Sequence, residues 1–340
     1  MEANAKSKAR VLLRAITVVG TIGTAVLGAA CSKETSTKSD DDQGIGVSSI
    51  DPVANGPETE MPVDATPSPD GSDIYFIAYT WAAGPDGIGF ERLPAIFKVS
   101  ATGGAPAELH EGAPLGSPFG ITISDDGQTL FIADSGADTS EDRSDGMVFS
   151  MGVGGGAPSP LAGTEGMAPG GVEAMGDTLW ITGRKDGKAG LFRTGLGGGA
   201  VTPVAVGMFT DPSGVAVTKK GEAYVVDSGG ELSERALASV VKVTPDGATE
   251  ILVDGIAVGH PGGIALVSDD SAVLVSGLDP AKGTDVVFRV ELGSRQVKRF
   301  SDVIGEFYES AGLHRARNAD VFAWADSHAN KTGTVYVLRK

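Results

Sequence analysis

The feature of this 340-residue chain that most constrains its fold is a segment of about four dozen residues that recurs six times between Pro62 and Lys340. Each copy opens on a Pro-x-Gly-apolar motif and continues with a turn and three further short apolar runs. The motif is clear at Pro118-Phe119-Gly120-Ile121, Pro169-Gly170-Gly171-Val172, Pro212-Ser213-Gly214-Val215 and Pro261-Gly262-Gly263-Ile264, and degenerate at Pro62-Val63-Asp64-Ala65 and Ser310-Ala311-Gly312-Leu313. A repeat this short cannot bury its own apolar faces, so the copies must stack on one another.

The runs within each repeat have the composition of β-strands. The second run is rich in β-branched and aromatic residues, as in Ile74–Ile77 and Leu130–Ala133. The third alternates in character, as in Ile96–Val99, and the fourth is short and often contains proline, which is typical of an edge strand. No stretch after residue 30 has helical periodicity. The sequence therefore predicts an all-β fold, a six-bladed β-propeller of four-stranded antiparallel blades over residues 47–340.

The two ends of the repeat region predict how the ring closes. The chain ends at Lys340, after the third strand of the sixth repeat, so that blade lacks an outer strand. The segment Ile50–Gly56 is similar to Val201–Gly207, the outer run of an earlier repeat. We expect residues 47–54 to supply the missing strand and cover an edge that would otherwise stay open.

The first thirty residues have the pattern of an export signal. Residues 1–14 are basic and polar, and residues 15–30 are uncharged and apolar or small, a length that suits a secretory signal better than a spanning helix. They lead to Cys31, the only cysteine, which small residues precede and a polar stretch follows. This arrangement resembles a bacterial lipoprotein signal, in which the cysteine is lipidated and becomes the first mature residue. Gly28 departs from that family, which usually has leucine there; an ordinary signal peptide or an uncleaved anchor is the alternative.

These observations predict a signal peptide at residues 1–30, a flexible tether at residues 31–46, and a protein held by an N-terminal lipid in the bacterial cell envelope, in the periplasm or at the cell surface. The tether is predicted because its Ser, Thr, Lys and Asp composition cannot repay the entropy of ordering. The net charge is −17, and because residues 1–30 carry +3, the remainder carries −20. Such an acidic body disfavours binding to nucleic acid.

The repeats resemble NHL-repeat propellers and the related senescence-marker-protein/gluconolactonase group. The resemblance covers residues 47–340 and rests on the Pro-x-Gly-apolar motif, the Asp126-Gly127 turn, and strands that end in Asp134 and Asp227. The first repeat, from Ser68 to Tyr75, is also similar to repeats of the Tol-system propeller. What the resemblance implies is the fold, because this fold hosts many functions.

Lactonase members of that group hold a divalent metal in the central channel, through a Glu and through Asn or Asp residues beside the motif glycine. The corresponding positions here hold Phe119, Gly170, Ser213, Gly262 and Ala311. These are not ligands for a hard cation, which needs several oxygen atoms, and Asp64 in the first repeat supplies one carboxylate only. The lactonase chemistry is therefore not implied for this chain.

Three other features suggest chemistry, each with a structural alternative. His260 and His314 lie close to inner strands near the predicted axis, where they could bind a metal or act as a general base, or else be structural. The glycine-rich segments 152–157 and 195–200 match a dinucleotide fingerprint in letters, but no helix follows them, so no cofactor is expected. An acidic loop could hold a calcium ion or be simply solvated. Its carboxylates are Asp134, Asp138, Glu141, Asp142 and Asp145.

Aromatic residues on adjacent loops predict a ligand-binding lip on one face of the propeller. Tyr79, Trp81 and Phe90 belong to the longest loop, in the first repeat, and Trp324 and His328 to the neighbouring last repeat. The alternative is that these side chains pack the loops against the blades. We expect a non-catalytic binding or scaffold module for an envelope protein, a peptide or a glycan; the alternative is a hydrolase or lyase of the lactonase-like group with a divergent site.

Overall fold

The computed structural model describes residues 49–83, 89–140, 143–144, 146–229, 237–259, 261–302 and 310–339, all within one compact unit, Gly44–Lys340. The predicted signal peptide, Cys31 and the tether lie outside the described residues. The described part of the chain contains no helix with the length and apolar character needed to cross a membrane.

The described residues form six four-stranded antiparallel sheets, one for each repeat, which confirms the predicted six-bladed propeller. The innermost strands are β2 (Glu60–Pro67), β6 (Pro118–Ile123), β12 (Met167–Met175), β16 (Asp211–Val217), β20 (Ile264–Leu266) and β24 (Ser310–Arg315). The second strands are β3 (Asp73–Ala83), β7 (Thr129–Asp134), β13 (Thr178–Lys185), β17 (Ala223–Ser228), β21 (Ala272–Asp279) and β25 (Val321–Asp326).

The third strands are β4 (Phe90–Ser100), β10 (Met147–Gly152), β14 (Lys188–Gly195), β18 (Leu237–Val243), β22 (Thr284–Glu291) and β26 (Thr334–Arg339). The outer strands are β5 (Ala107–Glu111), β11 (Ser159–Pro160), β15 (Thr202–Val206), β19 (Thr249–Ala257), β23 (Val297–Asp302) and β1 (Ser49–Asn55). A short ribbon, β8 (Asp138–Ser140) with β9 (Arg143–Ser144), and a 3-10 turn at Ala329–Lys331 complete the described elements.

The inner strands contact one another in a closed cycle, β2–β6–β12–β16–β20–β24 and back to β2, around the propeller axis. The motif glycines allow this close approach. A Cβ on Gly171 would lie 2.5 Å from the carbonyl oxygen of Ser213, and one on Gly214 would lie 2.5 Å from that of Gly262. The Pro-x-Gly-apolar motif is thus a packing device at the axis, where backbone meets backbone.

The core consists of six apolar clusters, one in each interface between neighbouring blades. The second strands are buried on both faces because each sheet packs against two others, which explains their nearly continuous apolar runs. Between the first two blades, for example, Ile77, Ile121 and Ile132 pack together and are fully buried.

The first described strand, β1, closes the ring as the sequence predicts. It pairs antiparallel with β26, from Ser49 opposite Arg339 to Asn55 opposite Thr334, and so becomes the outer strand of the last blade. Val53 and Ala54 are buried in the cluster between the last and first blades. The two ends of the described chain therefore share one sheet, and the outer edge of β26 is covered.

The chain direction places the loops on two opposite faces. The turns between inner and second strands lie on one face, which we call the turn face. The connections between second and third strands lie on the other, which we call the loop face. On the loop face the first blade has a long hairpin, because β3 and β4 have 11 residues each, whereas the second strands of the other blades have 6 or 8. Three extra residues in each strand lengthen the hairpin by roughly 10 Å, at about 3.3 Å per residue.

Candidate functional site

The inner strands carry a ring of side chains two residues beyond the motif glycine, or beyond Asp64 in the first blade. In order around the axis, these positions hold Thr66, Thr122, Glu173, Ala216, Ala265 and His314. Glu173 belongs to the third blade and His314 to the sixth, so they face each other across the channel. The remaining members are small, which leaves the centre of the ring to this one pair.

His314 bridges the channel with both of its ring nitrogens. Nε2 lies 3.1 Å from Oδ2 of Asp64 in the first blade, and Nδ1 lies 3.2 Å from Oε2 of Glu173. Asp64 also accepts hydrogen bonds from its neighbour, the Ala65 N–H, at 2.8 Å and from the Ile121 N–H at 2.7 Å. Gly312 makes this arrangement possible, because a Cβ there would lie 1.6 Å from Oδ1 of Asp64.

Arg317 completes this axial network from the turn face. It donates to Oε1 of Glu173 at 2.6 Å and to Oδ1 of Asp125 at 3.0 Å, and it also bonds the carbonyl oxygen of Ala174. Thr122 lies 3.3 Å from Oε2 of Glu173. We call Asp64, Glu173, His314 and Arg317 the axial network; it contains two carboxylates and two cations from the first, third and sixth blades.

The pKa values within the network follow from this pairing. Burial alone lowers the pKa of His314, but the charges and hydrogen bonds of Asp64 and Glu173 outweigh it and raise the pKa to about 10. Burial alone raises the pKa of Glu173, but Arg317 and His314 outweigh it and lower the pKa to about 2. At neutral pH, therefore, His314 is an imidazolium that donates from both nitrogens.

The axial network closes the channel. Asp64, Glu173 and His314 are 3%, 6% and 8% exposed. The cavities on the two sides of His314 measure about 10 and 20 Å3, which is room for about one water each. Among the described residues, no group of three His, Cys, Asp or Glu side chains is placed to hold a metal ion. A protonated His314 whose two ring nitrogens both donate hydrogen bonds has no free nitrogen with which to ligate a metal or accept a proton.

The sequence predicted only part of this arrangement. His314 was placed near the axis, as found, whereas its possible partner His260 lies outside the described residues. Glu173 and Arg317 were missed. The signal for Glu173 is the ring position itself, where four of the other repeats have Thr or Ala.

Asp134, the first carboxylate of the predicted calcium site, binds backbone instead. It is fully buried and accepts from the N–H groups of Gly116 and Ser117, each at 2.7 Å, and Gly136 at 2.9 Å. This bonding ties the end of β7 to the segment before β6. The side chains of Asp138, Glu141, Asp142 and Asp145 lie outside the described residues, so the calcium site stays a prediction.

The aromatic residues of the first blade share one face of the long hairpin. Trp81 lies opposite Arg92, Tyr79 opposite Pro94, and Ala83 opposite Phe90. Residues directly opposite, and those two apart, project to the same side of a β-ribbon. Trp81 is 47% exposed and Phe90 is 76% exposed. We call this side the aromatic hairpin face.

Trp81 is held in a defined orientation although it is exposed. Its indole Nε1 donates to Oε2 of Glu60 at 2.7 Å, and the Arg92 guanidinium lies 4.8 Å from the ring centroid. Such cation–π contact fixes the ring without burying it. Tyr79 lies closer to the blade, where burial raises the pKa of its hydroxyl.

The last blade does not contribute Trp324 to an exposed lip. Trp324 is fully buried, and its ring stacks on Tyr336 with 5.1 Å between centroids. Its position on β25 places it between two blades, where a large apolar ring fills the core. His328 is partly exposed, and its ring lies 3.0 Å from the Ser327 hydroxyl.

A pair of buried carboxyl groups, separate from the axial network, lies between the last two blades. Asp285, at the start of β22, and Asp326, at the end of β25, are both fully buried, and their charges act on each other. Asp326 accepts from the N–H groups of His328 and Ala329 at 3.1 and 2.8 Å. Burial, together with Asp326, raises the pKa of Asp285 to about 9. The pair thus holds one proton at neutral pH.

No family model and no curated protein matches the sequence. Among solved structures, the chain is similar to a hydrazine synthase structure from Kuenenia stuttgartiensis, with a TM-score of 0.54 and 12% identity over 83% of this chain and 96% of the other. It is also similar to TolB from Acinetobacter baumannii, with a TM-score of 0.51 and 12% identity over 70% and 53% of the two chains. It is similar as well to a GH74 enzyme from Niastella koreensis, with a TM-score of 0.52 and 12% identity over 80% of this chain and 46% of the other. At such identities the likeness shows the propeller fold alone.

Proposed function

We propose that this protein is an exported, lipid-anchored propeller that binds a partner protein at the aromatic hairpin face and catalyses no reaction there. The observation that carries the proposal is the exposed pair Trp81 and Phe90 on the long hairpin of the first blade, where Glu60 fixes the Trp81 ring. Trp, Tyr and Arg dominate the binding energy of protein interfaces, and this face presents all three. It therefore favours a protein partner over the peptide and glycan ligands that the sequence also allows.

The axial network supports binding at the surface rather than chemistry in the channel. Its charges are internally paired, and the space beside it holds about one water on each side. A substrate would have to break several charge-assisted hydrogen bonds in order to enter. The loop face outside the channel is consequently where a large ligand has access.

The binding proposal is tested by photocrosslinking in the native host. Phe90 is replaced by a photoreactive phenylalanine analogue in the full-length chain, and Ile251, an exposed residue on the outer strand β19, receives the same analogue as a control. We expect a discrete adduct from position 90 and none from position 251. Identical adducts at both positions, or none at either, would contradict the proposal.

A Trp81→Ala change in the crosslinking protein tests the role of the aromatic face itself. The adduct should weaken several-fold, while the free energy of unfolding falls by less than about 1 kcal/mol, because the side chain is half exposed. A large loss of stability with an unchanged adduct would show that Trp81 packs the hairpin instead.

The lipid anchor is tested separately by Cys31→Ser. We expect the wild-type protein in the membrane fraction and the variant in the soluble fraction of the envelope, since the thiol would be the site of acylation. Equal fractionation of the two would leave a propeller that is exported without a lipid.

A hydrolase or lyase is the second candidate, and one observation favours it: Asp64, Glu173 and His314 converge at the axis, as catalytic groups do. Purified protein is assayed with a panel of lactones in the presence of Mg2+, Ca2+, Mn2+ or Zn2+. Turnover that His314→Gln abolishes would establish catalysis and replace the binding proposal.

A further inference from the structure

A cavity of about 370 Å3 opens on the turn face, at the mouth of the channel. It is formed by the turns between inner and second strands of the third to sixth blades. Its polar lining includes Lys219, Asp270, Arg315, Arg317, Asn318 and Asp320. This volume lies in the range of small-molecule sites. Arg317 of the axial network lines its floor, and the aromatic hairpin face lies on the opposite side of the propeller.

Arg315 carries a positive charge into this cavity and is held by two backbone carbonyl oxygens rather than by a carboxylate. Its Nε donates to the carbonyl oxygen of Leu266 at 2.8 Å and its Nη1 to that of Ala316 at 3.0 Å. Within the described part of the chain it forms no ion pair, in contrast to Arg317, which is bonded to Glu173 and Asp125. Because a guanidinium has five N–H donors, Arg315 retains donors for a ligand.

The electrostatic surroundings of Arg315 favour the arrival of an anion. Burial, together with the nearby charge of Arg317, lowers the pKa of Arg315, against the opposing charges of Asp320, Glu173 and Asp270. A carboxylate bound beside it would compensate both effects, since charge-assisted bonds to Arg are strong and often bidentate. Lys219 on the cavity wall is exposed and adds a second cation that such a carboxylate can reach.

The cavity also presents negative charge, from Asp270 and Asp320. Asp270 is exposed and stands in a left-handed turn with φ of 54°. A ligand that carried only an anion would be repelled by these carboxylates. A ligand with both a carboxylate and an ammonium group would match the two signs together.

We propose that the turn-face cavity binds a small zwitterion, an amino acid or short peptide, with its carboxylate on Arg315 and Lys219 and its ammonium group on Asp270 and Asp320. This site is separate from the partner-binding face and does not depend on it. The wall residues set the affinity, whereas Arg317 belongs to the axial network and keeps the floor in place.

The test measures binding of three probes to the intact propeller by isothermal titration calorimetry. Glycylglycine carries both charges, N-acetyl-glycylglycine only the carboxylate, and glycylglycinamide only the ammonium group. We expect the free dipeptide to bind about tenfold more tightly than either capped form, since each lost charge-assisted contact is worth about 1.4 kcal/mol. Equal affinity for the free and acetylated dipeptides, or no binding of any probe at millimolar concentration, would overturn the proposal.

Paired variants locate the binding. Lys219→Gln should lower the affinity for glycylglycine about tenfold. Lys220→Gln, one residue away and also exposed, should leave that affinity unchanged. Asp270→Asn should weaken it similarly, whereas Asp186→Asn should not. Asp186 is a matched control because it is exposed and has a similar φ of 51°, but lies on the other face. Equal effects of a variant and its control would contradict the assignment.

Discussion

Replacement of Glu173 by Gln should destabilise the propeller far more than the loss of an ordinary ion pair. The carboxylate bonds Arg317 at 2.6 Å and His314 at 3.2 Å and is itself 6% exposed. Gln has nearly the same shape, so packing is conserved. The variant, however, buries two cations whose remaining carboxylate partners are Asp64 and the partly exposed Asp125.

The magnitude follows from the pKa of Glu173. The pKa falls from 4.5 in a free side chain to about 2 here, and at 1.36 kcal/mol for each pKa unit the difference corresponds to about 3 kcal/mol. Breaking a buried pair by removing one partner typically costs about 3–5 kcal/mol. At about 2–4 °C per kcal/mol for a large domain, the melting temperature should fall by roughly 10 °C.

Urea unfolding at pH 7 measures the loss, with Glu222→Gln as the control. Glu222 forms an ion pair with Lys242 at 2.7 Å, but both side chains are about one-third exposed, so this change should cost about 1 kcal/mol or less. Because the folded-state pKa of Glu173 is depressed, its contribution is present above about pH 4.5 and is lost as the pH falls toward 2. A loss for Glu173→Gln no larger than that of the control would refute the network as a stabilising unit.

Three further changes probe other parts of the account. Deletion of residues 45–56 should sharply lower the melting temperature because it uncovers the edge of β26, whereas deletion of residues 34–43 in the predicted tether should not; equal melting would contradict the ring closure. Gly312→Ala should destabilise the protein by about 1–3 kcal/mol or more, measured in urea, because the new Cβ meets Asp64, and a neutral effect would show that the axis can expand. Asp285→Asn should raise stability at pH 7 by up to about 4 kcal/mol and much less at pH 4. The cost of holding Asp285 protonated appears above its unfolded pKa of 3.8 and grows until its folded pKa of about 9. A loss at both pH values would instead assign that pair a stabilising role.

The fold was predictable because the sequence pattern that produces each blade occurs six times. Each Pro-x-Gly-apolar motif marks an inner strand, and each apolar run after it marks a second strand, so errors in one copy are corrected by the others. The closing strand was predictable for the same reason, as a copy of the outer strand at Thr202–Val206. It ends at Asn55, one residue beyond the expected end, and residues 47 and 48 lie outside the described residues.

The site was less predictable, because its members are far apart in sequence and occur once. Asp64 and His314 are 250 residues apart, and only the closure of the ring brings them to 3.1 Å. Trp324 illustrates the converse error. An aromatic residue at a strand end suggested a lip, yet the register of β25 turns it into the core, where it stacks on Tyr336.

The central claim is that the propeller axis is a closed, charged structural network, so that ligands bind at the surface. The most direct test is an NMR titration of the ring nitrogens of His314. Because its pKa is raised to about 10, both nitrogens should carry protons at pH 8. The stability contributed by this charge should be full below pH 6.5 and decline as the pH rises from there to about 10. A His314 that loses its proton near pH 6.5, or that exposes a free ring nitrogen at pH 8, would contradict the account and return the axis to the catalytic candidates.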